Sequence, residues 1–416
     1  MPPPPIPLPA RPHSPPRRSA VPYAPRNRRS APGSVLKPLT PAELEWYKNY
    51  SGSIGTQVLK SKRKRSAEPE DNGVGERPAK RARDVKLVAE HYNARPEVGV
   101  QQRNDSPIIG LKNFNNWVKS VLISQFAHPV LSSSSNFGPY LQAGPGPVGM
   151  RGRPMSARGA GKVLDMGCGK GGDLTKWAKA RIKEYVGVDI AAVSVDQARE
   201  RYNSLRGPKF DATFAAADCY TNLLSSSLPP SVTQTILPPG GQPFDVVSMQ
   251  FCMHYAFETE LKVRTMLQNV SNWLRPGGIF LGTIPNSAQL LESLDALPPN
   301  AEDLSFGNNV YKIRFDERTH RGLYGHRYWF YLKDAVDDVP EYVVHWDPFV
   351  RTAAEYGLHP VYMKQFHEVF AENQPHEEFG PLLVRMKVVD ANGESQMDED
   401  QWEAANIYIA FAFEKR

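Results

Sequence analysis

The chain has 416 residues and a formal net charge of +6 at neutral pH, enough length for one large domain or two modest ones and a balance that suggests a polyanionic partner. Residues 1–83 hold 17 Lys and Arg against 6 Asp and Glu, so the remainder carries a net −5 and must hold any nucleic acid by a local patch. No apolar run of ~18 residues and no secretory core are seen, which argues against a membrane partner; three cysteines, Cys168, Cys219 and Cys252, lack metal or pairing spacing and suit a reducing compartment.

Residues 1–41 contain 14 prolines among Arg and Ser and cannot assemble a core. Disorder is expected to about residue 83, through "KSKRKR" (60–65) and "AKRAR" (79–83). Two basic clusters so spaced resemble a bipartite nuclear localisation signal, and a solvated basic tail that touches RNA weakly fits the same composition.

The segment 91–123 precedes the first strand and is expected to form helices covering a cofactor. Within it "NFNNWVKSVLI" reads as an amphipathic helix packing Phe114, Trp117, Val118 and Val121. Asn115, Asn116 and Lys119 cluster about one turn apart on its more polar side, and three such groups beside aromatics suit a flat, hydrogen-bonding ligand such as a base. Two polar or small-residue stretches, 132–161 and 221–243, are expected as surface loops outside the core. No internal repeat is visible.

Between these stretches strands and helices alternate. "KVLDMG", "EYVGVDI", "ATFAAAD", "FDVVSMQF" and "GGIFLGTI" read as buried strands; "DLTKWAKARI", "VSVDQARERYNSL" and "LKVRTMLQNVSNWL" read as helices. That pattern implies an α/β fold with a doubly wound, mostly parallel sheet and ligands at the carboxyl ends of its strands. After Ile284 come "NNVYKIRF", "HRYWFYL", a helix near "PFVRTAAEYG" and the alternating "NIYIAFAF", expected as antiparallel edges in the C-terminal part.

The first strand runs into "GCGKGGD", where Gly167, Gly169 and Gly172 spell G-x-G-x-x-G. Asp165 precedes the glycines, Asp189 ends the second strand 22 residues after Gly167, Asp218 follows the third and Gln250 the fourth. Glycines admit a close backbone approach, and an acid at the second strand end can take both ribose hydroxyls, which also fits a dinucleotide. An acid just before the loop instead suits a ligand with an amino group and a sulfonium, and "LRPGGIFLGTIP" supplies a methyltransferase-like element, so S-adenosylmethionine is the better fit.

"NFNNWVKS", "VLDMGCGKGGDLTKW", "GVDIA", "QFCMHYAFE", "GTIPNS", "DVPEYVV" and "IYIAFAFEK", in this order from about residue 84 to the C-terminus, closely resemble the eukaryotic mRNA cap guanine-N7 methyltransferases. The resemblance implies a seven-stranded, Rossmann-like methyltransferase of class I over 84–416, with the two loops as insertions. It implies methyl transfer from S-adenosylmethionine to N7 of the guanine in a 5′ GpppN cap. Carried over by position, Lys119, Asp165, Gly167, Gly169, Asp189, Asp218, Gln250 and Tyr255 should contact the methyl donor. Asn115 and Asn116 should contact the cap, and Lys170, Lys176, Arg201, His254, Glu341 and Tyr408 should line the guanine and triphosphate path. It further implies a monomer acting on 5′-capped RNA in the nucleus, with other capping enzymes or the transcription machinery reached through the tail.

Blander readings stand beside these. Lys176 and Arg201 read equally as solvated helix residues, Cys168 as a space-filler, His254 and Tyr255 as core packing and Glu341 as a helix cap. His367 and His376 lack partners for a metal. Guanine N7 carries a lone pair and no proton, so the reaction needs no base, nucleophile or metal and relies on positioning. Methylation of another RNA position, and an inactive cap-binding scaffold, remain the competing readings.

Overall fold

The computed structural model describes residues 78–95, 104–134, 160–207, 209–237 and 243–416. The proline-rich tail with "KSKRKR", and most of the first expected loop, lie outside the described residues.

Helix α1 spans Pro78–Ala94, so ordered backbone starts inside the stretch expected to be disordered, and "AKRAR" lies within a helix. The local reason is legible afterwards: Pro suits the first helical position, and Ala, Lys and Arg are good helix formers. Helix α2, Ile109–Leu122, buries Phe114, Trp117, Val118 and Val121 as its apolar spacing predicts. It continues through a π turn at Ile123–Ala127 into α3, His128–Ser132. The Trp117 indole donates to the Phe379 carbonyl at 3.0 Å, and Phe114 meets Trp402 edge-on at 4.9 Å, which fixes the roll of α2.

Then follow β1 (Lys162–Met166), α4 (Leu174–Lys179), β2 (Glu184–Asp189), α5 (Ala192–Asn203), β3 (Asp211–Ala216), α6 (Leu224–Ser227), α7 (Pro230–Ile236), β4 (Phe244–Gln250), a 3-10 helix (Met253–Glu258), α8 (Glu260–Trp273) and β5 (Leu274–Pro285). The remaining strands are β6 (Ser305–Gly307), β7 (Tyr311–Phe315), β8 (Arg327–Leu332), β9 (Val336–Tyr342), β10 (Leu358–Gln365) and β11 (Tyr408–Lys415).

The seven-stranded sheet has the order β10-β11-β5-β4-β1-β2-β3. Strands β1 to β5 pair in parallel, and β11 and β10 are antiparallel additions, as the sequence predicts. Two expectations are corrected. "NIYIAFAF" is not an edge: β11 lies between β5 and β10, with Ile409, Phe411 and Phe413 in one core layer and Tyr408, Ala410 and Ala412 in the other. Its alternation is of large and small apolar side chains, not of apolar and polar ones, which suits a strand covered on both faces. "YKIRF" and "RYWFYL" leave the main sheet altogether and form a separate antiparallel sheet, β6-β7-β8-β9.

The 221–243 stretch also differs from a loop outside the core. It contains α6 and α7, and Leu224, Leu228 and Ile236 are buried against the Leu164 and Val247 side of the sheet. Sparse apolar residues amid Ser, Thr and Pro hide such a cap from a compositional reading.

Candidate active site

The carboxyl end of β1 delivers the glycine loop. Gly167 has φ +79, and a Cβ there would lie 2.5 Å from the Cys252 sulfur, so both backbone and space demand glycine. Gly171, with φ +71 and a virtual Cβ 2.5 Å from Leu174, is a second tight position, whereas Gly169 and Gly172 have open space where a Cβ would stand and line the cavity. Asp189 anchors the loop from β2: its two oxygens accept from the amides of Gly169 at 2.8 Å and Ala191 at 2.9 Å.

Above these strand ends lies a cavity of about 280 Å³. Lys119, Asp165, Gly167, Gly169, Asp189, Asp218, Gln250 and Tyr255, the eight residues expected at the methyl donor, all line it. Gln250 is fixed from behind by Thr283, whose hydroxyl donates to Oε1 at 3.2 Å, and the next residue, Phe251, holds φ 58, a strained value for a side chain this large. The roof comes from α1, through Asp84, Val85, Val88 and Tyr92. That roof is tied down by Asp84, 2.6 Å from Arg327 and bonded by the Tyr342 hydroxyl at 3.1 Å, and by Asn93, which accepts from the Val193 amide at 3.0 Å.

Charge inside the cavity is unevenly compensated. Asp165 is buried, accepts from the Tyr185 hydroxyl at 2.9 Å, and is pushed up to about 7, first by burial and then by the Asp173 charge. Asp173 goes the other way: burial pushes it up, but Lys119 and Lys176 outweigh that and hold it well below the usual carboxylate range. Their ammonium groups lie 2.8 and 2.7 Å from Asp173 Oδ1, and Lys176 also donates to Asn116 Oδ1 at 2.9 Å. Lys176 is therefore no solvated helix residue.

A second cluster adjoins the cavity. Glu341, 4% exposed, accepts from the Tyr328 hydroxyl at 2.9 Å and the Tyr255 hydroxyl at 3.4 Å, and His254 Nε2 lies 3.3 Å from its Oε1. Tyr408 is buried close by, and burial together with the Glu341 charge raises its phenol well above the ordinary value. Glu341 sits in β9 and caps no helix. The Tyr92 hydroxyl, 3.1 Å from that of Tyr255, joins this cluster to the cavity, and burial pushes Tyr92 up to about 12.

The remaining cap candidates are not assembled into that cluster. Lys170 donates to the Arg95 carbonyl at 2.6 Å, below the end of α1. Asn115 is half-buried, with an Oδ1 that has no partner among the described residues. Arg201 is half-buried in the last turn of α5 and does not line the cavity. Sequence reasoning missed Asp84, Tyr92, Asp173 and Tyr328; of these only Asp173, inside the glycine motif, carried a positional signal. Among the described residues no group of His, Cys, Asp or Glu is arranged to hold a metal, and no helix is long and apolar enough to cross a membrane.

The mRNA (guanine-N(7))-methyltransferase domain model matches residues 76–145 and 153–416. The chain belongs to that family. It is 53% identical over 334 residues to an mRNA cap guanine-N(7) methyltransferase of Cryptococcus neoformans, covering 80% of this chain and 48% of that one. A Schizosaccharomyces pombe protein of the same name is 43% identical over 385 residues, covering 90% of this chain and 96% of the relative. An Arabidopsis thaliana mRNA cap guanine-N(7) methyltransferase 1 is 38% identical over 347 residues, covering 80% and 82%. The chain thus spans about half the length of the Cryptococcus relatives and nearly all of the fission-yeast one.

Proposed function

We propose that this chain transfers a methyl group from S-adenosylmethionine to N7 of the guanine in a 5′ GpppN RNA cap. The observation that carries the reading is a cavity with three strand-end acids, joined through Tyr92 and Tyr255 to a buried cluster around Glu341.

The cavity's donor set fits the methyl donor. Lys119 is suited to its carboxylate, Asp165 to its amino group and Asp189 to its ribose hydroxyls. Bound there, it supplies a methyl group on a cationic sulfur. The chain's own residues then position and stabilise. Good alignment is worth roughly 7–11 kcal/mol in favourable intramolecular systems. Guanine N7 presents a lone pair, so no side chain need remove a proton. The Glu341 carboxylate accepts from the donors on guanine N1 and N2 and favours the positive charge that methylation creates. The faces of Tyr255 and Tyr408 act in the same sense. Asn115 and Asn116 hold the cap, His254 packs against the base, and Lys170, Lys176 and Arg201 meet phosphate, so an acidic body engages RNA ends by a local patch.

Residues 84–416 with the preceding turn of α1 form the catalytic domain, a monomer. The basic tail serves nuclear import and contact with other capping or transcription proteins.

The test is steady-state kinetics of the wild type and Glu341→Gln on capped RNA. Loss of the charge should lower kcat/KM for the cap on the order of 10². Normal turnover by a destabilised but folded variant would remove Glu341 from the guanine site.

A further inference from the structure

Away from the cavity, the loops that enter β2 and β3 lie side by side, with the Asp211 amide donating to the Lys183 carbonyl at 3.0 Å. Lys179 ends α4, Arg181 and Lys183 follow it, and Arg206 and Lys209 stand in the loop after α5. Lys179, Arg181, Arg206 and Lys209 are exposed and Lys183 is half-buried. Arg201, in the last turn of α5, brings the cations of this rim to six.

Few acids answer them. Between residues 179 and 211, Glu184 is paired with Lys162 at 3.1 Å, Asp196 with Arg199 at 2.6 Å, and Asp189 holds the glycine-loop amide. That leaves Glu200 and Asp211 against the six, in a body that from residue 84 onward carries a net −5. Cations at the ends of helices complement the helix dipole, which accounts for Lys179 and Arg201 but not for Arg181, Arg206 and Lys209 in the loops.

Two of these loop cations are held in place. Arg181 directly follows α4, with its amide bonded to the Ala178 carbonyl at 3.1 Å and a left-handed φ of 53 that glycine usually supplies at a helix end. A long charged side chain kept at a strained position marks a use for that side chain. Lys209 donates to the Asn203 carbonyl at 3.0 Å and lies 5.4 Å above the Tyr202 ring, which sets its ammonium beside the end of α5.

The rim also continues the phosphate path. Helix α5 starts just after Asp189 at the cavity, and its 12 residues rise about 18 Å to Asn203. Arg201, placed above on phosphate, stands in its last turn, and Arg206 follows five residues later. An RNA whose cap phosphates meet Arg201 thus has its next phosphates within the field of Arg206, Lys209 and Arg181.

We propose that this rim is a track for the single-stranded RNA that follows the cap, with Arg181, Arg206 and Lys209 on its phosphates. The assignment rests on the cap methyltransferase reading above and adds to it a dependence on RNA length. The contacts are to the backbone, so the track carries no base preference.

Steady-state kinetics of the full chain on GpppA and on a capped RNA of about 20 nucleotides, long enough to fill a single-strand groove, test the track. The wild type should show a KM at least fivefold lower for the long RNA. Arg206→Gln combined with Lys209→Gln should shrink that difference to within twofold and leave GpppA kinetics within twofold of wild type. It should also flatten the dependence of log KM on log salt by about 1.4, at about 0.7 for each lost contact to a single strand. Arg181→Gly removes a third contact while relieving the backbone, so KM for the long RNA should rise at least twofold with a melting temperature no lower than wild type. Equal wild-type KM for both substrates, a double variant that keeps the length dependence, or an equal loss on GpppA overturns the track. Inhibition by polyglutamate as strong as that by uncapped RNA of the same charge would assign the rim to an acidic polypeptide and overturn it as well. A wild type that methylates neither substrate fails the methyltransferase reading itself, a result distinct from turnover without length dependence.

Discussion

The hydroxyl of Tyr92 on α1 lies 3.1 Å from that of Tyr255 in the turn after β4, so a helix that precedes the whole sheet closes the gap between the cavity and the Glu341 cluster. Removing that hydroxyl tests whether the bridge matters. Tyr92→Phe keeps the ring and forfeits one hydrogen bond, worth about 1 kcal/mol. The expected outcome is a five- to tenfold fall in kcat/KM for capped RNA with a melting temperature lowered by only about 2 °C. Wild-type kinetics would show that Tyr92 is only a roof residue.

Asp173 neutralises two lysines at once, Lys119 and Lys176, with its side chain 8% exposed. Asp173→Ala leaves two largely desolvated ammonium groups facing each other, and breaking a buried pair in this way costs up to about 3–5 kcal/mol. Denaturant unfolding should show a loss of that order. Because its folded pKa is depressed, Asp173 stabilises the fold above the ordinary carboxylate value and loses that contribution as the pH falls through the lower folded value. A loss below about 1 kcal/mol would mean the lysines find other partners.

Asp165 has the opposite sign. With its pKa pushed up to about 7, the free protein holds the proton below that pH, and the ionised group withdraws stability as the pH rises from the ordinary carboxylate value through 7. A ligand ammonium favours the carboxylate, so binding should release a proton. Titrations of S-adenosylhomocysteine between pH 6 and 8, in buffers of different ionisation enthalpy, should show affinity rising with pH and levelling above 7. Asp165→Asn should flatten this profile. A flat profile in the wild type would contradict the ammonium contact.

The cavity floor was legible in the sequence because a parallel strand announces its own end. Asp165, Asp189, Asp218 and Gln250 each follow a short apolar run, and all four line the cavity. What sequence reading missed depends on pairing across long distances. Tyr328 sits opposite Glu341 only through the β8–β9 register, which no local spacing reveals. Asp84 and Tyr92 reach the site from a helix whose first turns have the composition of a basic tail. Likewise the periodicity of "NIYIAFAF" showed a strand but not that two neighbours would cover it. The need for glycine at Gly171 was not legible from motif spacing, because it comes from packing against Leu174.

The most direct measurement is the position of the transferred methyl group. Capped GpppA-RNA is incubated with the chain and S-adenosylmethionine labelled in the methyl group, digested with nucleases, and the labelled nucleoside identified. The account predicts that the label is recovered as 7-methylguanosine from the cap. Label on a ribose 2′ oxygen or on adenine would contradict it, as would a chain that binds S-adenosylhomocysteine and transfers nothing.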